Sequence, residues 1–505
     1  MNGPLVEVAG TRGAAMRALV ELGADRLPGE VVARDGDTAT VQAYEYTGGL
    51  APGAPAGLVG RPLSVRLGEH LLGGVYDGLL RPLTSAGIWL DPARRASAAG
   101  ASASSGPGDD GAGEWWPVRT PRPHAGRLDL AVPLRTGQRV LDLLFPVPRG
   151  GAVAVPGGFG TGKTVLLQQI AKWCDADVIV YVGCGERGNE MAEVLARLGE
   201  LTDPRTGGRL ADRTVVIANT SNMPMMAREA SVHSGVAVAE YFRDLGRDAV
   251  VIADSTSRWA EALREFASRG GDLPAEEGYP AALPSQLAAF YERAGRVRTR
   301  AGGEGSVTIV GAVSPPGGDL TEPVTAYTRR FVRAVWGLDR SLAYSRHYPA
   351  VSWAESFARD TGAVARWHAA HGDPAWAGRR ARLVGLLAEA DRLAALAELV
   401  GRTGLPPRER GVLLAGRLVR EGVLQQSALS ETDASCSADR AAALADAVLD
   451  VADLVLDLMS GGTPPEAVEG VDLSPLARAR EEAAAVADVR LRRDRTLAAL
   501  KEAAT

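Results

Sequence analysis

The sequence contains little cysteine. Its 505 residues include only three, Cys174, Cys184 and Cys436, and no Cys-x-x-Cys pair occurs. Three scattered cysteines exclude a disulfide framework and favour a reducing, cytosolic setting. Cys184 is expected to be a small packed residue rather than a nucleophile.

The sequence also lacks long apolar runs and an excess of basic residues. No apolar run reaches the length of about 18 residues that a membrane-spanning helix needs, and Met1 to Gly10 does not have the basic and apolar regions of a secretory leader. The net charge of −5 argues against nucleic acid as a partner, because neutralising a phosphate backbone normally requires a basic surface. We therefore expect an acidic enzyme that associates with a membrane only through other proteins.

The first part of the chain has a β pattern followed by a linker. Residues 1–80 contain short apolar runs with turn residues between them, which is typical of a small β-barrel. Residues 81–130 are predicted to be a linker, and its low-complexity stretch, 93–114, is expected to be flexible because it cannot bury a core. The predicted barrel strands are Leu5 to Val8, Gly29 to Ala33, Thr38 to Tyr44 and Pro62 to Leu67.

The rest of the chain predicts an α/β domain and a helical domain. In residues 131–360, apolar runs alternate with helical stretches, as expected for a mostly parallel sheet covered by helices on both faces. In residues 361–505, apolar residues recur at helical spacing, most clearly over Leu383 to Val400 and Ala441 to Met459, which predicts a helical bundle. The predicted strands of the α/β domain are Gly151 to Val155, Val178 to Gly183, Thr214 to Ala218, Ala249 to Ala253 and Ser306 to Val313.

A P-loop pattern directly follows the first of these strands. Gly157 to Thr164 read Gly-Gly-Phe-Gly-Thr-Gly-Lys-Thr. Glycines in such a loop let backbone N–H groups point at a phosphate. Lys163 is expected to reach the β- and γ-phosphates, and the Thr164 hydroxyl to ligate Mg²⁺ at the start of a helix predicted over Val165 to Lys172. The sequence therefore predicts a nucleotide-binding site.

Two acidic residues follow strands at the edge of the sheet where ligands of such folds bind. Glu186 follows the second strand and is suited to polarise the water that attacks a γ-phosphate. Pairing with Arg187, or the capping of a turn, is an equally supported alternative. Asp254 closes the fourth strand in the Walker B pattern, whose carboxylate holds Mg²⁺ through water, whereas helix capping is the alternative. The P-loop on the same sheet favours the metal-binding function.

The sequence resembles the catalytic A subunit of V/A-type rotary ATPases over most of its length, including the N-terminal barrel. The resemblance is carried by the P-loop and by residues 136–140, 181–191, 218–224, 253–265, 276–281, 314–319 and 424–426. It implies an enzyme that hydrolyses or makes ATP with Mg²⁺. It also implies a hexamer of alternating A and B subunits, coupled by central stalk subunits to proton or sodium transport and located on the cytoplasmic face of the cell membrane.

The resemblance also implies a role for individual residues. Glu186 would orient the attacking water, with Lys163 and Arg187 as the other catalytic residues, while Thr164 and Asp254 would hold Mg²⁺. The B subunit would supply an arginine finger, so the isolated chain is expected to hydrolyse ATP poorly. The implied nucleotide-binding residues are Gly157, Gly158, Phe159, Gly160, Thr161, Gly162, Lys163, Thr164, Val165, Leu429 and Tyr348, the last of which would stack on adenine.

The sequence departs from the family pattern in two places. The family has a long insertion between the barrel and the nucleotide domain, which faces the peripheral stalk; this chain has only the low-complexity stretch there, which puts the usual stalk contacts in doubt. Leu429 stands where the family has an aromatic residue. Without the ring contact, worth about 0.5–1.5 kcal/mol, nucleotide affinity is expected to be a few-fold lower.

Two alternative functions are also compatible with the sequence. A related homohexameric motor, either a secretion-type ATPase or an RNA translocase, would be active without a B partner, and the RNA version would need a basic channel that the acidic composition does not indicate. A catalytically inactive nucleotide-binding assembly subunit is the other alternative. The complete set of Lys163, Glu186 and Asp254 argues against it, while Leu429 and the shortened insertion argue for it.

Overall fold

The computed structural model describes residues 4–83, 113–270 and 273–505. The predicted low-complexity stretch therefore lies, from residue 93 to 112, outside the described residues. The four strands predicted near the N-terminus are confirmed, and further strands accompany them. The strands of this part are β1 (Leu5–Ala9), β2 (Ala18–Leu22), β3 (Leu27–Asp35), β4 (Thr38–Ala43), β5 (Ala56–Pro62), β6 (Ser64–Leu67), β7 (Val75–Tyr76), β8 (Glu114–Pro117) and β9 (Gly126–Arg127).

The first five strands form one antiparallel sheet in the order β1-β4-β3-β2-β5. The β3–β4 hairpin turns in two residues, between the paired Asp35 and Thr38. Gly36 begins this turn at φ +57°, a conformation that tight hairpin loops require and glycine adopts without strain. Alternating residues such as Val31 and Val41 are fully buried and form a local hydrophobic core.

The middle of the chain alternates between strands and helices, and all five strands predicted there are confirmed. The strands are β10 (Ala152–Pro156), β11 (Val178–Glu186), β12 (Thr214–Thr220), β13 (Asp248–Asp254), β14 (Gly295–Arg298), β15 (Glu304–Val313), β16 (Ala334–Val335) and β17 (Phe357–Ala358). The helices are α1 (Arg139–Leu144), α2 (Lys163–Trp173), α3 (Gly188–Glu200), α4 (Met225–Asp244), α5 (Thr256–Gly270), α6 (Leu283–Tyr291), α7 (Pro323–Phe331) and α8 (Arg340–Tyr344).

The last part of the chain is helical, as predicted. Its helices are α9 (Thr361–Ala370), α10 (Trp376–Val400), α11 (Pro407–Val419), α12 (Ala438–Ser460), α13 (Pro465–Glu469), α14 (Ser474–Ala477), α15 (Ala479–Glu482) and α16 (Val486–Ala503). Helix α11 packs against α10 and α12, and α12 also packs against α16. Pro407 occupies the first position of α11, where its missing N–H costs no hydrogen bond. Within the described ranges, no helix combines the length and apolar composition that a membrane crossing requires.

The chain divides into two compact units. The first comprises residues 1–129, 150–152 and 176–332, and the second comprises residues 130–149, 153–175 and 333–505. In the first unit, β15, β13, β11, β12 and β7 lie side by side in parallel, and β14 pairs with β15 in the antiparallel direction. In the second unit, β10 pairs in parallel with β16, which in turn pairs with β17. Nearly all apolar residues of the five predicted strands, β10, β11, β12, β13 and β15, are buried. This burial explains why these strands are continuous apolar runs in the sequence.

Candidate active site

The predicted phosphate-binding loop connects β10 to α2 in the second unit. Helix α2 begins at Lys163, and the residue before it, Gly162, has φ +82°. The Thr161 hydroxyl donates a hydrogen bond to the Gly158 carbonyl at 2.8 Å, and the Lys163 ammonium lies 3.3 Å from the Gly157 carbonyl. The loop thus has its own hydrogen bonds and ends at a helix N-terminus, where backbone N–H groups and the helix dipole favour an anion.

Glycine is required in this loop for space as well as for conformation. A Cβ atom on Gly162 would lie 3.2 Å from the Tyr348 ring. A Cβ on Gly157 would lie 2.8 Å from Leu338, and one on Gly158 would lie 2.7 Å from the Arg340 guanidinium. These side chains come from the segment that includes α8, so the glycines permit close packing between that segment and the loop.

The apolar and aromatic residues predicted to bind the nucleotide differ in their surroundings. Tyr348 lies beside Gly162 and is 41% exposed, so part of its ring is available to a ligand. Phe159 is 92% exposed and Val165 43% exposed. Leu429 is 97% exposed, so it contributes little to the packing of the unliganded chain. The structure therefore brings Tyr348 to the loop and leaves Phe159 and Leu429 open to solvent.

The segment that includes Leu429 is joined to Tyr348 through the main chain. We call residues 423–429 the base loop. The Gln426 N–H donates to the Tyr348 carbonyl at 2.7 Å, and the Gln425 side-chain amide donates to the Arg346 carbonyl at 3.4 Å. Two separate parts of the sequence thus meet beside the P-loop.

A buried arginine contacts the base loop, and no individual role was predicted for it from the sequence, although it lies in the segment 136–140 of the family resemblance. Arg139, in α1, is fully buried and donates hydrogen bonds to the carbonyls of Val423 and Gln425, both at 2.6 Å. Its guanidinium also forms an ion pair with the buried Asp433 at 2.7 Å. The sequence does not reveal its contacts, because the residues that it binds are almost 300 positions away.

The predicted catalytic carboxylates lie on adjacent parallel strands of the first unit. Glu186 is the last residue of β11 and Asp254 the last of β13, and Gly183 pairs with Asp254 in register. Asp254 is 4% exposed and accepts a hydrogen bond from the Tyr181 hydroxyl at 3.0 Å. Burial and the charge of Asp254 raise the pKa of Tyr181 well above its usual value, so this hydroxyl remains a donor.

The surroundings of Glu186 are strongly negative. Burial, together with the charges of Asp254 and Glu190, raises the pKa of Glu186 to about 8, although Arg258 opposes the shift. Arg187 is exposed and forms an ion pair with Glu190 at 3.7 Å. This concentration of negative charge is suited to a cation, which would stabilise the ionised carboxylates.

Cys184 lies close to this carboxylate group but is a packed residue, as predicted. Its thiol is fully buried and lies 3.5 Å from the Arg228 carbonyl. Burial raises its pKa to about 12, which disfavours the reactive thiolate.

The donor set fits magnesium bound together with a nucleotide. Among the residues that the structure describes, no group of three or more His, Cys, Asp or Glu side chains is arranged to hold a metal by itself. Mg²⁺ does not need such a cage, since it is usually held by one or two carboxylates, water and substrate phosphates. Asp254, at the end of β13 in the first unit, supplies a carboxylate of this kind.

Family models define the class of protein. The nucleotide-binding domain of the ATP synthase alpha/beta family matches residues 137–358, and the beta-barrel domain of the same family matches residues 1–56. The C-terminal domain of V and A type ATP synthase matches residues 365–456. These matches confirm the predicted fold class: an N-terminal β-barrel, a P-loop nucleotide-binding domain with a mostly parallel sheet, and a C-terminal helical domain.

Named relatives narrow the class further. The chain is 44% identical to the V-type ATP synthase alpha chain of Nitrosococcus oceani, over 95% of this chain and 93% of that one. It is 48% identical to the V-type ATP synthase alpha chain of Anaeromyxobacter sp. (strain K), over 86% of each chain. It is 42% identical to the A subunit of the A-type ATP synthase of Hyperthermus butylicus, over 91% of this chain and 88% of that one. The chain belongs to the alpha-chain family of V-type and A-type ATP synthases, as the resemblance predicted.

A solved structure has the same fold. The assembled ATPase EscN from the type III secretion system of enteropathogenic E. coli superposes with a TM-score of 0.73, covering 89% of this chain and 98% of that one. Its sequence identity is 24%, so the similarity concerns the fold.

Proposed function

We propose that the chain is the catalytic A subunit of a V/A-type rotary ATPase or ATP synthase, coupling Mg-ATP hydrolysis or synthesis to proton or sodium transport across a membrane. The observation that carries the proposal is the complete P-loop at the start of α2, in a chain of the ATP synthase alpha-chain family. The roles proposed for the other residues depend on a nucleotide bound at this site.

In this proposal, the P-loop binds the phosphates of ATP or ADP. The backbone N–H groups at the start of α2 and the Lys163 ammonium would bind the β- and γ-phosphates, because both carry positive charge suited to an anion. Tyr348 would stack on the adenine, which its exposed ring surface beside Gly162 supports. The other proposed nucleotide contacts are Gly157, Gly158, Phe159, Gly160, Thr161, Gly162, Thr164, Val165 and Leu429.

The carboxylates of the first unit would perform the hydrolytic chemistry. Asp254 and Thr164 would hold Mg²⁺, which when bound neutralises charge on the phosphates. Glu186 would orient and polarise the attacking water, with Arg187 supporting it. Since the raised pKa of Glu186 arises from burial and nearby negative charge, positive charge near it would favour the ionised form that accepts a proton.

The partners follow from the family. We propose that the chain alternates with B subunits in a hexamer, receives an arginine finger from the B subunit, and contacts central stalk subunits. Attachment to the cytoplasmic face of a membrane would then come through the ion-translocating sector. Contacts with a peripheral stalk are the least supported part of this assembly, because the chain has only a short low-complexity stretch where the family has the insertion that faces the stalk.

A test of catalysis compares Glu186→Gln with the unchanged chain, each purified with its B partner. The variant is expected to bind Mg-ADP normally and to lose hydrolysis by about 10²–10³-fold, within the range that general base catalysis contributes. Glu193→Gln is the matched control, because Glu193 is an exposed residue of α3 that pairs with Arg197. A wild-type complex that binds nucleotide without turnover would contradict the catalytic proposal and favour an assembly role.

A further inference from the structure

We propose that Arg139 is a positioning residue for the adenine side of the nucleotide site. It holds the base loop against the segment that includes Tyr348, so its loss weakens binding of the base and leaves binding of the phosphates unchanged. The inference rests on the proposed function in one respect, namely that the P-loop binds a nucleotide.

Arg139 forms hydrogen bonds to several groups of the base loop. Its Nε donates to the Val423 carbonyl and one of its terminal nitrogens to the Gln425 carbonyl, both at 2.6 Å. Its backbone N–H donates to the Gln426 side-chain oxygen at 2.9 Å. Hydrogen bonds from a charged donor are stronger than neutral ones, and the guanidinium presents its donors in a rigid plane. One residue of α1 thus contacts three positions of the base loop.

The guanidinium of Arg139 also pairs with a buried carboxylate. Asp433 is fully buried, pairs with Arg139 at 2.7 Å and with Arg480 at 2.6 Å, and accepts the Ser427 N–H at 2.8 Å. A buried carboxylate that lacks such partners is costly, so the arrangement of these groups is tightly constrained. Asp433 therefore balances the charge of Arg139 and also accepts a hydrogen bond from the base loop.

The base loop is connected to the P-loop through Tyr348. Gln426 donates from its backbone to the Tyr348 carbonyl at 2.7 Å and from its side chain to the Gly137 carbonyl at 2.8 Å. The Tyr348 ring in turn lies beside Gly162. A displacement of the base loop would therefore move the surfaces that contact the base, whereas the hydrogen bonds inside the P-loop do not involve Arg139.

The decisive variant is Arg139→Lys in the full-length chain. Lysine keeps the charge next to Asp433 but cannot reproduce the planar set of donors to two carbonyls. Calorimetric titration with Mg-ADP is expected to show a dissociation constant raised about tenfold, since two charge-assisted hydrogen bonds that order the base loop are lost. Titration with Mg-tripolyphosphate, which has no base, is expected to change by less than about twofold.

Arg440→Lys is the matched control. Arg440 is also a buried arginine of the second unit, and it donates to the carbonyls of Ala483 and Thr432 at 3.0 and 2.8 Å, outside the base loop. Its variant is expected to bind both ligands as the unchanged chain does. Should Arg139→Lys fail to fold, Gln426→Met is the second variant. It removes the side-chain hydrogen bonds to Arg139 and Gly137 at similar volume, and it is also expected to weaken the binding of Mg-ADP without changing that of Mg-tripolyphosphate.

The outcomes distinguish this inference from the proposed function. Equal affinity of Arg139→Lys and the unchanged chain for Mg-ADP, or an equal loss for both ligands, would overturn the positioning role and leave the nucleotide site intact. An unchanged chain that binds neither ligand would overturn the proposed function itself. Selective loss of Mg-ADP binding, absent in Arg440→Lys, is the result that supports the inference.

Discussion

At the scale of single residues, the P-loop needs glycine for two reasons, backbone conformation and space, and Gly160 and Gly162 differ in the second. Both have a left-handed backbone, with φ +80° and +82°. A Cβ on Gly160 would meet open space, whereas one on Gly162 would approach the Tyr348 ring at 3.2 Å. The two positions therefore share the conformational requirement and differ in the steric one.

We predict that Gly162→Ala destabilises the unliganded chain more than Gly160→Ala does. Each variant carries the left-handed strain of about 1–2 kcal/mol, and Gly162→Ala adds the displacement of Tyr348. Thermal unfolding without nucleotide measures the difference. Equal melting temperatures would mean that Tyr348 moves aside at no cost.

Leu429 offers a second prediction at this scale, since its side chain is almost fully exposed and therefore open to a ligand. We expect Leu429→Phe to tighten Mg-ADP binding by about two- to tenfold, because an aromatic contact adds about 0.5–1.5 kcal/mol. Calorimetric titration checks this, with Leu399→Phe as the control at another exposed leucine of the second unit. Unchanged affinity in Leu429→Phe would show that the side chain does not reach the base.

At the scale of elements, a buried ionic group joins the N-terminal sheet to helix α4 within the first unit. Arg119, which follows β8, pairs with Glu30 of β3 at 2.9 Å and with Glu229 of α4 at 2.5 Å. His233 lies one helical turn from Glu229, at 3.5 Å. Burial favours the neutral form of Glu229, but the charge of Arg119 outweighs it and holds the pKa of Glu229 well below its usual range.

We predict that Arg119→Gln destabilises the first unit by about 3–5 kcal/mol near pH 7, because it leaves two buried carboxylates without their cation. The stabilisation tied to a lowered carboxyl pKa is present above the unfolded pKa of about 4.3 and is lost as the pH falls towards the folded value. Urea unfolding at pH 7 and pH 3.5 should therefore show a smaller difference between variant and wild type at the lower pH.

The exposed pair of Arg12 and Asp37 provides the control for that experiment. Their atoms lie 3.8 Å apart and the Arg12 side chain is 89% exposed, so Arg12→Gln should change stability by less than about 1 kcal/mol. If Arg119→Gln loses no more stability than Arg12→Gln, the buried ionic group does not stabilise the first unit as predicted.

His347 predicts a pH dependence for the second unit. Burial, together with the charges of Arg420 and Arg480, lowers the pKa of its imidazole to about 4. The pKa of His347 in the unfolded chain is about 6.5, so on acidification the unfolded state binds the proton before the folded state does. The free energy of unfolding therefore has its full value above pH 6.5 and decreases as the pH falls from 6.5 to 4. His347→Gln should remove about 2 kcal/mol of this loss at pH 5.

The measurement is the change in melting temperature between pH 7 and pH 5. It should be smaller in His347→Gln than in the unchanged chain, whereas His371→Gln, at an exposed position, should behave like the unchanged chain. The same acid sensitivity in all three proteins would exclude His347 as the source.

At the scale of the whole molecule, the proposed arginine finger lies outside this chain. We predict slow Mg-ATP hydrolysis by the isolated chain and an increase of about 10³–10⁵-fold when it is purified with its B partner, the effect of such a finger in related phosphoryl-transfer systems. Steady-state assays of both preparations test this. Full activity without any partner would instead favour a homohexameric motor.

The accuracy of the sequence-based predictions varied with the type of feature. The strands β10, β11, β12, β13 and β15 were predicted because a strand buried on both faces is apolar throughout. By contrast, β2 and β5 were missed. Glu21 interrupts the apolar run of β2, and most residues of β5 are exposed at the edge of its sheet, so neither has a clear pattern.

The sequence was sufficient for the features that depend on neighbouring residues. The P-loop, the helix that follows it and the carboxylates at the ends of β11 and β13 are local, because turn chemistry and strand alternation act over a few positions. The tertiary structure was needed for contacts between distant positions, such as Arg139 with Gln426, which are 287 residues apart. It was also needed for the pKa of Glu186, since burial and neighbouring charges depend on how the strands pack.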